Sequence, residues 1–368
     1  MKRIVHIITG LNKGGAETML YNILKNSSKD QFQHQVISLI KDGYYIEKIK
    51  DLNIEVFNYQ ISSRPIKTIF KIFKHFKKAD TVCCWMYHAN FIGLICGKMA
   101  GVKNIIWGIR HSNLEVSRNK RSTLFLNKVC SFLSRFVNIV TYNGQTAKRV
   151  HEDIGYDQSK SMVLNNGCDT SIYSPICNAR STLCAELSIP ANKKIMLSAV
   201  RYSPLKDIPN FINALSLVKE EFPDVVGVMC GHRIDLHNEE LVSIIQSKNL
   251  IIDKDIYLLG LRHDMPLIMS ASDVYILHSA GEAFPNTLIE AMACESLCVV
   301  TDVGDAKLIL DDNERVVECS NYIALSSVIK NTLVEKSDVA ENRRKKYRNR
   351  VVEHFSIKSI VTQYENNF

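Results

Sequence analysis

Val274-Tyr-Ile-Leu277, followed by Gly281-Glu-Ala-Phe-Pro-Asn-Thr-Leu-Ile-Glu290 and Ala-Met-Ala-Cys294, decides how this chain folds. An apolar strand gives way across a short turn to a helix. Pro285 suits the first helical position, where its missing N–H is not needed and its φ is already set. Glu282 then lies in the loop, and Glu290 falls on the helix more than one turn in. The free N–H groups of a first helical turn carry partial positive charge and favour an anion. An anion site with carboxylates on either side suits a ligand that joins phosphate to hydroxyl-rich rings, which describes a nucleotide-sugar. The bland alternative is two glutamates on a solvated face, favourable only to the helix dipole.

Outward from this unit, strand-like and helix-like segments alternate along the whole chain. Residues 4–8, 35–40, 81–86, 104–107, 137–140 and 161–164 read as strands in the first half. The rhythm restarts at Lys194 with strands at 194–198, 225–229, 256–259, 274–277 and 297–300. Such a βαβ alternation predicts α/β architecture, with parallel sheets covered by helices on both faces. Pro175 and the polar stretch to about Asn192 mark the boundary, giving two Rossmann-like, doubly wound domains over 1–180 and 181–351. Ligands of these sheets bind beyond the carboxyl ends of the strands, so a central cleft is expected.

Size and composition agree. At 368 residues the chain suits two domains. No apolar run reaches the roughly 18–20 residues of a membrane span. The opening segment Met1-Lys-Arg-Ile-Val-His-Ile-Ile8 is too short and strand-like for a signal peptide. Eleven cysteines without regular spacing read as small buried hydrophobes in a reducing compartment, hence a cytoplasmic protein. The net charge of +8 is uneven: residues 1–180 hold 26 Lys and Arg against 12 acidic residues, and residues 181–340 hold 13 against 23. Two halves of opposite sign imply different partners.

Gly14-Gly15 follows the first strand and precedes the first helix, where glycine lets backbone approach a phosphate or sugar; a tight turn with no ligand reads equally well. Arg201 and Lys206 follow the first strand of the second domain. They read either as a clamp on a diphosphate or as a surface ion pair with Asp207. Asp253-Lys-Asp255 reads as a solvated loop, and no metal site is assigned. In Arg64–Lys78, Ile66, Ile69, Phe70, Phe73 and Phe76 share one face of a helix, and Lys67, Lys71, Lys74 and Lys78 share the other. The apolar stripe is expected to pack on the sheet. The lysines are either merely solvated or face an anionic bilayer together with Arg118, Lys120, Arg121 and Lys128. No interleaved aromatic platform points to nucleic acid.

Taken in order, Gly14-Gly-Ala-Glu17, Arg201-x4-Lys206-Asp207, Gly260-x-Arg262-x-Asp264, Glu282-x7-Glu290 and Thr301-Asp-Val-Gly304 resemble the family 4 glycosyltransferases, retaining enzymes of GT-B fold. Trp85–Asn90, Trp107–Ser112 and Glu282–Asn286 look like the bacterial branch serving O-antigen, capsule and related surface polysaccharides. The resemblance implies that Arg201 and Lys206 hold the donor diphosphate, Glu290 the ribose hydroxyls and Glu282 the donor sugar. It implies that Phe284, Pro285, Asn286 and Thr287 present helix N–H groups, and that Gly14 and Gly15 leave room for phosphate. Arg262 would line the nucleobase pocket. His111 would contact the donor sugar, with His88 a sugar or acceptor contact. No cofactor is implied beyond a UDP- or GDP-linked donor, and the acceptor would be a polyprenyl-diphosphate-linked glycan. The enzyme would then be cytoplasmic or peripheral on the cytoplasmic face of the inner membrane. The C-terminal segment from about 352 to 368 would cross back onto the first domain.

Two positions depart from the family pattern: Ala283 and Glu295 stand where glycine is usual. A non-glycine residue in a left-handed helix cap costs on the order of 1 kcal/mol. A nucleotide-sugar epimerase and a catalytically silent sugar-nucleotide-binding subunit are the competing functions.

Overall fold

The computed structural model describes residues 1–112, 114 and 120–368. Arg118, grouped above with the other basic side chains, lies outside the described residues. The chain divides into unit 1, Met1–Gly167 with Ile357–Phe368, and unit 2, Cys168–Ser356.

Unit 1 carries strands β1 (Lys2–Ile8), β2 (Phe32–Ser38), β3 (Glu55–Asn58), β4 (Thr81–Trp85), β5 (Asn104–Ile109), β6 (Ile139–Tyr142) and β7 (Ser161–Val163). Its helices are α1 (Gly15–Asn26), α2 (Tyr45–Lys50), α3 (Pro65–Phe76), α4 (Tyr87–Ala100), α5 (Arg121–Leu133) and α6 (Gln145–Asp153). The strands are parallel in the order β3-β2-β1-β4-β5-β6-β7, so the winding direction reverses between β1 and β4. β3 was not expected from the sequence. It is a four-residue, half-buried edge strand with no continuous apolar run.

Unit 2 carries β8 (Lys194–Ala199), β9 (Val225–Cys230), β10 (Ile256–Leu258), β11 (Val274–Leu277), β12 (Leu297–Thr301) and β13 (Val316–Val317). Its helices are α7 (Ala179–Leu187), α8 (Ile208–Glu221), α9 (Glu239–Gln246), α10 (Met265–Ala271), α11 (Asn286–Ala293), α12 (Ala306–Leu310), α13 (Tyr322–Leu333) and α14 (Ser337–Arg350). Strand order is β10-β9-β8-β11-β12-β13, with reversal between β8 and β11. The four strands at its centre are buried on both faces, which is why they read as uninterrupted apolar runs.

The boundary falls earlier than 180, because Cys168, Tyr173 and Ile176 pack into the core of unit 2 and Cys168 bridges to Ser356. The return to unit 1 falls after Ser356 rather than near 351. From there α15 (Ile357–Glu365) buries Ile357, Ile360, Val361 and Tyr364 in the unit 1 core beside α1. A directional hydrogen-bond chain ties it down. Trp85 Nε1 donates to His6 Nδ1, so His6 Nε2 carries the proton and donates to His34 Nδ1 at 3.0 Å. His34 Nε2 then donates to Ser27 Oγ, which donates to the Glu365 carboxylate at 2.7 Å.

The apolar stripe expected to pack α3 on the sheet does not do so as a whole. Thr68, Ile72 and Phe76 face the core, and Ile66, Ile69 and Phe70 are exposed. The buried stripe is rotated toward 68-72-76, where a threonine takes the place of a large hydrophobe. The basic tail helix is neutralised within unit 2. Arg343 pairs with Asp312, Glu314 and Glu335, and Arg344 and Arg350 cap carbonyls at Glu295 and Ile309.

Candidate active site

At the carboxyl end of the unit 2 sheet, the loops after β8 and β11 meet at the point where the winding reverses, the standard position of a ligand crevice. The β8 loop ends in a 3₁₀ turn, Pro204–Lys206, and Asp207 in left-handed conformation then starts α8. The β11 loop is stitched to it by the amides of Ala280 and Gly281, which both donate to the Leu205 carbonyl at 2.9 and 3.1 Å. A Cβ on Gly281 would meet the end of the Leu205 side chain.

This stitching sets the Lys206 ammonium on the Glu282 carboxylate. Ser279 Oγ donates to the same Glu282 oxygen at 2.9 Å. The alternative pairing of these cations with Asp207 is overturned: the Asp207 carboxylate accepts from Ser320 Oγ at 2.6 Å. The Arg201 guanidinium is exposed and has no side-chain partner among the described residues. It is a cation open to an external anion.

The Thr301–Gly304 segment acts as the floor of the Glu282 loop. Thr301 Oγ1 donates to the Ser279 carbonyl at 2.7 Å, and the Asp305 amide donates to the Ala283 carbonyl. Gly304, at φ +54°, lies so close that a Cβ would sit 2.7 Å from the Glu282 carbonyl oxygen.

α11 begins at Asn286, with Pro285 in the N-cap position rather than the first helical one. A proline cannot cap with its side chain, and none does so there; the Leu288 amide donates to the Pro285 carbonyl at 3.1 Å. Phe284 is buried against Phe355, and Thr287 Oγ1 accepts from Tyr275 at 2.7 Å, leaving the Thr287 hydroxyl proton free to donate outward. Glu290 is one turn farther along. Burial pushes its carboxyl up to about 7, and a hydrogen bond from Tyr173 works against that shift. Tyr173 was missed in the sequence because it sits in a loop with no periodicity or motif to mark it.

Arg262 is held by carboxylates on both sides, Asp264 and Glu186, whose hydrogen bonds raise its pKa. It stands in the loop after β10, joined to the neighbouring loops through the Gly231 amide donating to the Gly260 carbonyl at 2.7 Å.

In unit 1, Gly14 is the extended N-cap of α1, and Gly15 opens the helix with open space where a Cβ would be. The Glu17 carboxylate folds back over Gly14. His88 is exposed on the first turn of α4, after Met86 at φ +71°, and His111 is partly buried in the loop after β5. These residues follow the carboxyl ends of β1, β4 and β5. Next to His111, the Arg110 guanidinium lies between the Trp85 and Tyr364 rings at 5.3 and 5.5 Å and donates to Leu164 O and Asn166 Oδ1, both at 3.0 Å. Burial lowers its pKa to about 9.

Among the described residues no group of three or more His, Cys, Asp or Glu side chains could hold a metal ion. No described helix is long and apolar enough to cross a membrane.

Two parallel sheets of this topology in two units, one carrying cations and carboxylates at its switch point, define the GT-B fold. Residues 180–351 match the family model described as Glycosyl transferases group 1. The chain is 25% identical over 311 residues to the UDP-Gal:alpha-D-GlcNAc-diphosphoundecaprenol alpha-1,3-galactosyltransferase of Escherichia coli, covering 82% of this chain and 79% of the relative. It is 23% identical over 368 residues, 95% of this chain and 94% of the relative, to the N-acetylgalactosamine-N,N'-diacetylbacillosaminyl-diphospho-undecaprenol 4-alpha-N-acetylgalactosaminyltransferase of Campylobacter jejuni. The fold matches that of Anabaena HepE crystallised with UDP, with a TM-score of 0.85 at 23% identity, covering 100% of this chain and 99% of that one.

Proposed function

We propose that this glycosyltransferase moves a hexose or N-acetylhexosamine from a UDP- or GDP-linked donor to a glycan carried on polyprenyl diphosphate. Transfer proceeds with retention and without metal, at the cytoplasmic face of the inner membrane, in the biosynthesis of O-antigen, capsule or a related surface polysaccharide. The observation that carries the reading is the meeting of Lys206, Glu282 and the start of α11 at one switch point. The names of the Escherichia coli and Campylobacter relatives, both acting on undecaprenol-diphosphate glycans, support the acceptor class. The UDP complex of Anabaena HepE supports a nucleotide-linked donor.

In this reading Arg201 and Lys206 take the donor diphosphate, one as a fork of donors and the other as a point charge. The N–H groups of Asn286 and Thr287 add a partial positive charge. As the bond from the anomeric carbon to the phosphate oxygen breaks, these groups stabilise the charge gathering on the leaving diphosphate. The acceptor hydroxyl attacks the same face, forms the new glycosidic bond and passes its proton to the departing phosphate oxygen. Glu282 holds donor-sugar hydroxyls, Glu290 the ribose, and Arg262 flanks the base. Gly14, Gly15, His88 and His111 serve the sugar and acceptor side. The exposed lysines 67, 71, 74 and 78 meet the anionic membrane that carries the acceptor, and no cofactor is needed.

Transfer from UDP- and GDP-sugars to a polyprenyl-linked acceptor, with the product anomer read by NMR, tests the proposal. An α-linked product that is lost in both Lys206→Ala and Glu290→Gln supports it. Unchanged turnover in both variants would sink the assignment.

A further inference from the structure

The β11 loop holds Lys206 from its ammonium to its backbone. Glu282 takes the ammonium, and the Ala280 and Gly281 amides take the carbonyl of Leu205, the residue before it. Behind it stands His278, the first residue after β11 and fully buried. His278 Nδ1 lies 3.2 Å from the Asp207 carbonyl oxygen, and the Lys206 carbonyl favours the same proton. A carbonyl can only accept, so Nδ1 carries the ring proton. Burial pushes the His278 pKa down to about 4, and the Lys206 charge works in the same direction. The ring is therefore neutral, and its bare Nε2 accepts from Ser198 Oγ of β8 at 2.7 Å.

The imidazole thus spans the switch point in one tautomer, from β8 to the start of α8. Its own placement is fixed as well. The carbonyls on either side of it, Leu277 and Ser279, lie 3.2 and 2.7 Å from Thr301 Oγ1. Phe211 packs on the ring with centroids 5.1 Å apart. What the ring holds is a bend. Asp207 is at φ +47°, a region disfavoured for a residue with a Cβ, and this bend turns the chain from the 3₁₀ turn into α8. A bound diphosphate competes with Glu282 for the Lys206 ammonium. The His278 bond is made to backbone and survives that competition.

We propose that His278 is a positioning residue for transfer: through the Asp207 carbonyl it fixes the bend that presents the Lys206 ammonium to the donor diphosphate. The proposal rests on the reading of Lys206 as the diphosphate cation. If the ring merely filled the core, its two hydrogen bonds would matter only to stability. In the positioning role they separate. The Nδ1 bond sets where Lys206 stands, and the Nε2 bond serves only to orient the ring.

The test compares the full chain with its His278→Gln, His278→Asn, Ser198→Ala and Lys206→Ala variants. It reads kcat and donor KM with UDP-glucose, UDP-galactose, UDP-N-acetylgalactosamine and GDP-mannose, UDP and GDP affinity by calorimetry, and thermal unfolding. Asparagine places an amide nitrogen where Nδ1 stood, whereas glutamine places one where Nε2 stood. His278→Gln should lower kcat about thirtyfold and change nucleotide affinity less than about threefold, because misplacement of the cation is felt most as charge develops. His278→Asn should recover kcat to within about fivefold of wild type. Ser198→Ala should unfold at lower temperature yet keep kcat within about twofold. Equal kcat in the Gln and Asn variants, or kcat that follows unfolding temperature across all three, would overturn positioning. So would a His278→Gln variant as active as wild type while Lys206→Ala is not, and that result would leave the diphosphate reading standing. Wild-type turnover by Lys206→Ala, or no turnover of any donor by the wild type, would instead overturn the reading on which the proposal rests.

Discussion

Lys206 and Glu282, 76 residues apart in sequence, form an ion pair that joins the loops after β8 and β11. Each is held from behind: Lys206 by the 3₁₀ turn whose Leu205 carbonyl accepts two amides, Glu282 by Ser279 and the Gly304 floor. Lys206→Ala removes a cation from the proposed diphosphate and leaves the Glu282 carboxylate with its neutral partner. Transfer should fall about a hundredfold or more, with kcat bearing most of the loss, since the cation matters most as charge develops. Steady-state kinetics over a donor series checks this.

Glu290 supplies a pH dependence. With its carboxyl at about 7, Glu290 must be ionised to accept hydrogen bonds from both hydroxyls of the proposed ribose. Nucleotide affinity should rise as pH increases through 7, and binding should release protons. Calorimetry in buffers of different ionisation enthalpy checks the release, and Glu290→Gln should flatten the profile.

Stability should change with pH for a different reason. Burial lowers His34, His151 and His278 to about 4, and His6 well below its ordinary value. The unfolded chain binds these protons first, so stability is full above the ordinary histidine value and falls as pH drops from about 6.5 toward 4. The slope is at most about 1.4 kcal/mol per pH unit for each histidine. Glu290 acts in the opposite sense, because its raised pKa makes the folded state hold the proton more tightly. Burial also lowers His75 and raises Glu17, so five histidines stand against two glutamates, and thermal unfolding should occur at lower temperature at about pH 5 than at about pH 7.5.

Gly304→Ala should displace the Glu282 loop. The added methyl would meet the Glu282 and Ala283 carbonyl oxygens at 2.7 and 2.8 Å, and φ is already in the left-handed region. A loss of about 1–3 kcal/mol is expected, with a raised KM for donor. Gly281→Ala meets only the Leu205 side chain, which can rotate, and should cost less.

Glu295 occupies the left-handed position after α11, at φ +60°. Its amide bonds the Met292 carbonyl, and the Ser296 amide bonds that of Ala291, the pairing of a Schellman cap. Glu295→Gly should raise thermal stability by up to about 1 kcal/mol, because the Arg348 contact it gives up is a distant 3.9 Å.

Much of this was legible in the sequence because buried parallel strands read as apolar runs, as at Val274–Leu277 and Val225–Cys230. The edge strands β3 and β13 were not, since four half-exposed residues and a two-residue pairing leave no pattern. α3 was misread because periodicity reports an apolar face without saying what covers it, and Ile66 and Phe70 face solvent. Lys206, Glu282 and Glu290 stood out by spacing. Their supports Tyr173, Ser279 and Leu205 did not, because they act through backbone carbonyls and single hydroxyls that any loop can contain.

Arg348 of α14 donates to the Tyr173 carbonyl and to the Ala293 carbonyl at the end of α11. Tyr173 in turn bonds Glu290 on that helix. The four residues close a ring through side chain, loop and helix, so the carboxylate proposed to read the ribose shares one mechanical frame with a helix from the far end of the chain. α11 is thereby anchored at its carboxyl end. A substitution at Arg348, which touches no ligand, would be felt as a change in how tightly the nucleotide is held.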